Sequence, residues 1–245
     1  MYEKIKHILQ HLLPVGFIIK NELKFRFLYY QFYRGRRFHC NICCKQLRKF
    51  VRMKNGDKLC PCCGSVSRNR RLWAIIKSDF LADHPKILDF SPSRCLYRVM
   101  KRQASIDYTG ADYSGYFLAD KRLDITCIDE ADGSYDVVIC YHVLEHIADD
   151  RKAIRELYRI LKKSGRALIQ TPFRQVDMDE DPKTVEPLDR LRRFGHSDHV
   201  RMYSVEGLKD RLAQNGFEIT IKEFTERNDN PYGFEEKEYV LLLKK

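Results

Sequence analysis

No stretch of the 245-residue sequence supplies the roughly 20 consecutive apolar residues that a membrane-spanning helix requires. The apolar run near the start, from His7 to Lys20, is broken by Gln10, His11 and Pro14. It does not read as a secretory signal either, so export is not expected. Internal repeats and low-complexity tracts are missing, which argues against a repeat architecture. Hydrophobic residues make up 44% of the chain, a globular value that excludes disorder as a whole-chain description. The length suits one large domain, or one ordinary domain with a smaller module.

What is present is unevenly distributed. The net charge of +11 hides two different parts. Residues 1–77 carry 18 Lys and Arg against 3 Asp and Glu, whereas residues 78–245 carry 27 against 31. The excess positive charge therefore lies wholly in the first third. Such a field attracts phosphate-bearing partners, nucleic acid or an anionic membrane surface, or serves only solubility. Within it, Ile5, Ile8 and Leu12, then Phe25, Leu28 and Tyr29, fall at helical spacing on either side of a break at Pro14-Val15-Gly16. A basic amphipathic helix of this kind can lie on a membrane interface or pack against its own protein.

The nine cysteines are an odd number, and without export their clustering points to metal before disulfides. Cys40-Asn41-Ile42-Cys43 and Cys60-Pro61-Cys62-Cys63 form two Cys-x-x-Cys pairs, 16 residues apart. Two such knuckles can deliver four thiolates to a tetrahedral zinc. A closed four-thiolate site leaves no open position, so the ion would be structural. Cys44 and Cys62 are alternatives for the register of each pair, while Cys95, Cys127 and Cys140 read as core or near-core thiols. The same cysteines imply a reducing, cytoplasmic location.

After a helical stretch from Arg68 to Phe80, strands and helices alternate. Strands are predicted at 86–90, 106–112, 135–140, 167–170, 217–221 and 238–243. Asp149 or Asp150 can cap a helix with an apolar face at Ile154, Leu157, Tyr158 and Leu161, stopped by Gly165. Ser204 can cap another through Val205, Leu208 and Leu212. This alternation predicts an α/β fold, a mostly parallel sheet with helices on both faces. Ligands of such sheets sit at the carboxyl ends of the strands. Asp89, Asp112 and Asp124 occupy such places. Asp112 suits the two hydroxyls of a ribose, and Asp124 with the amide of Ile125 suits an adenine amino group.

The run from Asp136 to Ile147, ending in His142-Val143-Leu144-Glu145-His146-Ile147, is followed by a helix closing on Leu161-Lys162-Lys163-Ser164-Gly165 and a strand to Pro172. It closely resembles class I S-adenosylmethionine-dependent methyltransferases, over about residues 86–245. The whole chain is similar to a bacterial subgroup in which a zinc-ribbon-like module precedes a Rossmann-like methyltransferase domain. That similarity extends to Ser67-Arg68-Asn69-Arg70-Arg71-Leu72-Trp73 and to 194–203, which contains His196, His199 and Arg201. The implied division is a basic amphipathic helical segment at 1–38, a zinc-ribbon-like module with an Arg-rich linker helix at 39–80, and the methyltransferase domain at 81–245.

The resemblance implies S-adenosylmethionine as cofactor, held by Asp89, Phe90, Ser91, Asp112, Tyr113, Asp124, Ile125 and Tyr141, with structural zinc on Cys40, Cys43, Cys60 and Cys63. One departure stands out: the family's first loop is rich in glycine, and Asp89-Phe90-Ser91-Pro92-Ser93 has none. Methyl transfer needs an in-line approach and, for a protonated nucleophile, a base. His199 and His142 are the catalytic candidates, His199 on a loop of about twenty residues after the strand at 167–170, capable of closing over the site. Glu145 by itself, a single carboxylate, does not define a metal site. Neither Asn-Pro-Pro-Tyr nor Asp-Pro-Pro-Tyr follows the strand at 135–140, which argues against nucleobase amino methylation, and no Pro-Cys nucleophile is there.

The expected activity is methylation of a small molecule or glycan, lipid-linked acceptors included, by a cytoplasmic protein suited to the periphery of an anionic membrane. The alternatives are an RNA methyltransferase that grips phosphates with the basic zinc module, and a non-catalytic binding protein on the same scaffold.

Overall fold

Two compact units make up the chain, one formed by Met1–Ser78, Arg94–Val99 and Glu226–Glu236, the other by Asp79–Ser93, Met100–Thr225 and Lys237–Lys245. The computed structural model describes residues 14–81, 83–226 and 229–245, so the apolar face predicted at Ile5, Ile8 and Leu12 lies outside the described residues. Among the described residues, no helix is long and apolar enough to cross a membrane.

In the first unit, helices α1 (Val15–Lys20) and α2 (Glu22–Gln31) lead into two short antiparallel hairpins. These pair β1 (Arg34–Cys40) with β2 (Lys45–Leu47), and β3 (Val51–Arg52) with β4 (Lys58–Leu59). Helix α3 (Ser67–Asp79) follows, its apolar side Leu72, Trp73, Ile75 and Ile76 at most 4% exposed. The hairpins add a small apolar cluster of Val51, Leu59 and Val66, and a buried cation ties the surrounding segments together. Arg70 is fully buried and donates from Nε to Tyr232 O (2.6 Å), from Nη1 to Ser65 O (2.9 Å), and from Nη2 to Lys58 O (2.9 Å) and Gly233 O (2.8 Å). Arg71 reaches Glu226 at 2.5 Å. These two arginines of the Arg-rich helix are therefore committed to intramolecular partners, leaving Arg68 on the surface beside Asp57. Glu22 at the start of α2 binds Arg26 and, on α4 (Arg94–Met100), Arg98, each at 2.9 Å.

The second unit is built on a six-stranded sheet ordered β12-β13-β8-β7-β5-β6. Its strands are β5 (Lys86–Phe90), β6 (Asp107–Ala111), β7 (Tyr135–Tyr141), β8 (Leu161–Gln170), β12 (Glu218–Thr225) and β13 (Lys237–Lys244). Strand β5 runs parallel to both β6 and β7, and β7 parallel to β8, while β13 and β12 complete the sheet antiparallel. This is the Rossmann-like methyltransferase architecture expected from the sequence. The core follows from the apolar runs Val137–Cys140 of β7 and Ala167–Ile169 in the second half of β8, as expected for strand segments buried on both faces. On one face, helix α5 (Asp150–Ile160) inserts Ala153, Ile154, Leu157 and Ile160, all fully buried. Helix α7 (Val205–Ala213) adds Leu208 and Leu212 to the same cluster. Both helices start as the sequence predicts: Asp149 accepts from Lys152 N (2.9 Å) and Ser204 from Gly207 N (3.0 Å).

Two details differ from expectation. Helix α5 ends at Ile160, and Leu161 already pairs with Tyr135 as the first residue of β8. The irregular turn in that strand needs Gly165, where a Cβ would meet Lys162 O at 2.8 Å. The second difference lies between β8 and α7, where a plain loop was expected. That stretch holds the two-residue strands β9 (Phe173–Arg174) and β10 (Asp179–Glu180), helix α6 (Pro187–Phe194) and strand β11 (Arg201–Ser204). Pro187 opens α6 where its missing N–H costs nothing, and Gly195 closes it in the left-handed conformation at φ 79°.

Replacing Arg70 by Lys removes the planar fork that serves four separate carbonyls. Chemical denaturation of this variant is expected to show a loss of about 3 kcal/mol or more, against less than about 0.5 kcal/mol for Arg68→Lys on the surface.

Candidate cofactor and catalytic site

The chain passes from β5 outward to β6, then returns to lay β7 on the other side of β5. That reversal opens a crevice at the carboxyl ends of β5 and β7, where open α/β sheets bind ligands. The residue just beyond each of these strands is left-handed: Ser91 at φ 49° and His142 at φ 56°. For residues with a Cβ this conformation costs of order 1–3 kcal/mol and persists only where neighbours enforce it. Ser91 N donates to Ala111 O (2.7 Å) and its hydroxyl to Asp112 Oδ1 (2.9 Å), while His142 N donates to Gln170 O (2.8 Å). The position where the family carries glycine is thus held by a serine that adopts a glycine-like backbone.

Asp112 ends β6 almost fully buried, its Oδ2 accepting from Ser114 Oγ (2.8 Å) and Gly115 N (2.6 Å). Asp124 folds into a tight turn by accepting from the amide and hydroxyl of Thr126, both at 2.8 Å. Ile125 beside it is buried. Tyr113 is exposed, with the Arg122 guanidinium 5.2 Å from its ring centre. Phe90 belongs to the apolar core, so it offers the crevice its backbone only. Asp89 is buried within β5 and accepts from the Tyr108 hydroxyl (2.9 Å). Burial pushes its carboxyl up to about 7 against the lesser, opposing effect of that hydrogen bond.

Beyond β7, a single 3₁₀ turn, Leu144–His146, presents Glu145 inward and His146 outward. The Glu145 carboxylate is 1% exposed, and neither oxygen has a hydrogen-bond donor. Its Oε1 lies 3.3 Å from His142 Nδ1. His199 reaches the same place from 53 residues further along the chain, packing edge-on against His146 (4.7 Å between ring centres) and stacking on His196 (4.9 Å). Burial lowers the His199 imidazole below its ordinary range, with Glu145 opposing and His146 and His196 reinforcing that direction. His199 is therefore neutral at pH 7.

The link between the two segments is Arg201. Val200 N donates to Glu145 O (2.9 Å), and the buried Arg201 guanidinium then grips Leu144 O (3.1 Å), Ile147 O and Ala148 O (2.8 Å). Glu180 accepts from Arg201 (3.1 Å) and from Arg211 (2.6 Å); its carboxyl is held down to about 2, chiefly by Arg211 and then by Arg201. Arg211 also binds Asp150 (2.6 Å), to which the Tyr203 hydroxyl donates. This places Arg201 inside the scaffold, satisfied by carbonyls, and not in the crevice.

In the first unit, Cys40, Cys43, Cys60 and Cys63 bring their sulfurs within 4.8 Å of one another. Cys40 and Cys63 stand 3.6 Å apart and Cys43 and Cys60 3.8 Å. A tetrahedron with Zn–S bonds of about 2.3 Å has edges of about 3.8 Å, so the donor set fits a tetrathiolate zinc-ribbon-like centre. Cys44 is exposed and Cys62 half-buried, both outside the tetrad. The same unit holds a cavity of about 360 Å³ lined in part by Arg37, Arg52, Lys58, Phe38 and Phe50.

The structure thus gathers Ser91 with Asp112 at the ends of β5 and β6, and His142 with Glu145 and His199 beyond β7. What spacing alone does not show is the meeting of Glu145 and His146 with His199, or the roles of Asp150, Glu180 and Arg211 beneath them. No local pattern connects residues so far apart; an inward-facing arginine next to the histidine run was the one available signal.

Asp89 gives a pH test. Its folded pKa lies above the unfolded value of about 3.9, so the folded state binds the extra proton between these limits and stability falls as pH rises from 4 to 7. In urea titrations across that range, Asp89→Asn is expected to flatten the slope and to exceed the wild type above pH 7 by as much as about 4 kcal/mol.

A family model described as a methyltransferase domain matches residues 67–221, well over half of the chain. An uncharacterized methyltransferase of Bacillus subtilis (strain 168), YcgJ, is 36% identical over 84 residues, 34% of this chain and 32% of that protein. A Mycolicibacterium smegmatis protein named as a probable S-adenosylmethionine-dependent methyltransferase is 29% identical over 126 residues, 49% of this chain and 45% of its own length. The chain therefore matches about a third to under half of the length of these curated relatives. The crystal structure of a SAM-dependent methyltransferase from Archaeoglobus fulgidus shares the fold at a TM-score of 0.50 and 18% identity, covering 73% of this chain and 93% of that one. The family match spanning both strands of the crevice, together with the Rossmann-like sheet that forms it, makes this chain a member of the class I S-adenosylmethionine-dependent methyltransferases.

Proposed function

We propose that the protein transfers the methyl group of S-adenosylmethionine to a small-molecule or glycan acceptor, with the cofactor in the crevice at the carboxyl ends of β5 and β7. The observation that carries this reading is the pair of enforced left-handed residues, Ser91 and His142, each just beyond the carboxyl end of the adjacent strands β5 and β7 at the switch point of the sheet. In this reading the ribose diol takes the place of Ser114 and Gly115 on Asp112, and the adenine lies beside Asp124 and the amide of Ile125. The backbone of Asp89, Phe90 and Ser91 lines the methionine end, with Tyr113 and Tyr141 flanking. The cofactor supplies an electrophilic methyl; the chain aligns it with the acceptor and removes a proton from the acceptor.

Two imidazoles are candidates for that base. His142 is favoured, because its backbone, just beyond β7, is fixed to Gln170 O and its Nε2 has no hydrogen-bond partner in the protein, leaving it able to take the proton. His199, kept neutral by burial, is packed between His146 and His196 and better suited to holding the neighbouring turn in place. On the first unit, a zinc ion held by Cys40, Cys43, Cys60 and Cys63 would act as a structural cross-link, and reduced thiols of this kind fit a cytoplasmic location. Phe17, Phe27, Leu28 and Phe32, exposed beside Lys20 and Lys24, support a peripheral place at an anionic membrane surface. An RNA acceptor is the second reading, favoured by the cavity where Arg37, Arg52 and Lys58 meet Phe38 and Phe50. The burial of Arg70 and Arg71 weighs against it.

Calorimetry with S-adenosylmethionine tests the cofactor reading: the wild type binds, and Asp112→Ala weakens binding at least about tenfold through loss of a charge-assisted pair of hydrogen bonds. A wild type that binds neither the cofactor nor S-adenosylhomocysteine contradicts it. Incubation with methyl-labelled cofactor and fractionated cell extract tests the acceptor: label belongs in the small-molecule or glycolipid fraction, and label confined to RNA selects the second reading. Stripping the thiolate-bound zinc with a strong chelator is expected to unfold the first unit cooperatively and to release one ion per chain from the Cys40, Cys43, Cys60 and Cys63 tetrad, a release abolished by Cys43→Ser, checked by circular dichroism and elemental analysis.

A further inference from the structure

We infer that Glu145, His146 and His199 form a second metal site, for a divalent first-row transition ion of the zinc type, independent of the cysteine tetrad and of the methyl-transfer reading. One carboxylate oxygen and two imidazole nitrogens come within 4.8 Å of one another, contributed by the 3₁₀ turn after β7 and by the segment before β11. A tetrahedral ion with bonds of about 2.1 Å needs ligand edges of about 3.4 Å, so a modest rotation of the exposed His146 ring closes the set.

Three observations favour an ion over a merely packed cluster. The first is the state of Glu145. It is 1% exposed, both its oxygens lack a hydrogen-bond donor, and its contact with His142 Nδ1 at 3.3 Å does not meet hydrogen-bond geometry. A carboxylate removed from water without donors is costly, and a dication held by the same oxygens offsets that cost. The second is His199 Nδ1, likewise buried and without a hydrogen-bond partner. The third is the backbone. Val200 N is tied to Glu145 O, and Arg201 grips three carbonyls around the turn, so the two ligand-bearing segments are fixed to each other before any ion arrives.

The donor set decides the class of metal. Calcium and magnesium are bound mainly through oxygen, whereas two imidazoles with a single carboxylate suit zinc, manganese, iron(II) or cobalt. Three protein ligands leave at least one coordination position free, and the exposed face of His146 gives it access to solvent. His196, stacked on His199, holds that ring in place.

Cobalt(II) separates the two sites, since a tetrathiolate centre shows intense sulfur-to-cobalt charge transfer in the near ultraviolet and a nitrogen–oxygen centre does not. Titration of the full-length protein with cobalt(II) is expected to fill two sites, one with and one without that band. His146→Asn changes an exposed side chain and should fold normally, as checked by circular dichroism. It is expected to weaken the sulfur-free site at least about tenfold and to leave the charge-transfer band intact. Glu145→Gln should do the same and, in metal-free protein, raise the melting temperature by removing a buried charge. The inference is overturned if no cobalt binds beyond the thiolate site, or if the additional cobalt is unaffected by both substitutions. Absence of the charge-transfer band would reject the zinc-ribbon reading alone.

Discussion

The site depends on one guanidinium. Arg201 begins β11 two residues after His199, and it is buried against the turn that carries Glu145. By donating to Leu144 O, Ile147 O and Ala148 O it turns the carbonyl ends of an otherwise loosely bonded 3₁₀ turn into a fixed receptor for the distant histidine segment. Charge-assisted hydrogen bonds of this type are worth about 1.5–3 kcal/mol each, and leaving any of the carbonyls unsatisfied would cost a similar amount. Its charge is balanced through Glu180, shared with Arg211, and Arg211 in turn is anchored by Asp150 at the start of α5. One network therefore connects the helix that covers the sheet, the insertion after β8 and the carboxyl-end edge of the sheet.

Above that network the polar groups are deliberately under-satisfied. Glu145, His142 and His199 each have at least one buried atom with no donor or acceptor, as do Gln170 and Thr171 at the end of β8. Buried polar groups are nearly always paired in folded proteins, so the exceptions beside the switch point of the sheet are what the proposed cofactor and metal readings account for. The two left-handed residues belong to the same pattern, because their strain is held by hydrogen bonds to neighbouring strands. The first unit solves the opposite problem. Its buried Arg70 finds carbonyl partners on every side, and its four clustered thiols fit a single metal ion.

Much of the sheet was legible in the sequence because its central strands carry apolar runs and its helices start at Asp149 and Ser204, whose side chains cap them. The cysteine spacing likewise identified the four thiols that converge. Helix α6 was not anticipated, although Pro187 and Gly195 bracket it, because its apolar residues Leu188 and Leu191 are exposed and define no buried stripe. The start of β8 at Leu161 was hidden because Leu161 continues the helical spacing of α5. The fit of Ser91 into a glycine-like conformation depends on the Asp112 carboxylate, and a residue 21 positions away is invisible to local patterning. The same limit applies to His199, whose surroundings are set by the fold and not by its neighbours in sequence.

The central claim is that the crevice between β5 and β7, though lacking glycine, is a cofactor site. A crystal structure of the protein with S-adenosylhomocysteine tests it most directly. The account predicts the ribose on Asp112, the adenine beside Asp124 and the Ile125 amide, and the sulfur directed toward His142, with Ser91 still left-handed. A ligand bound elsewhere, or a crevice that stays closed around Asp112, Ser114 and Gly115 at saturating ligand, would contradict it.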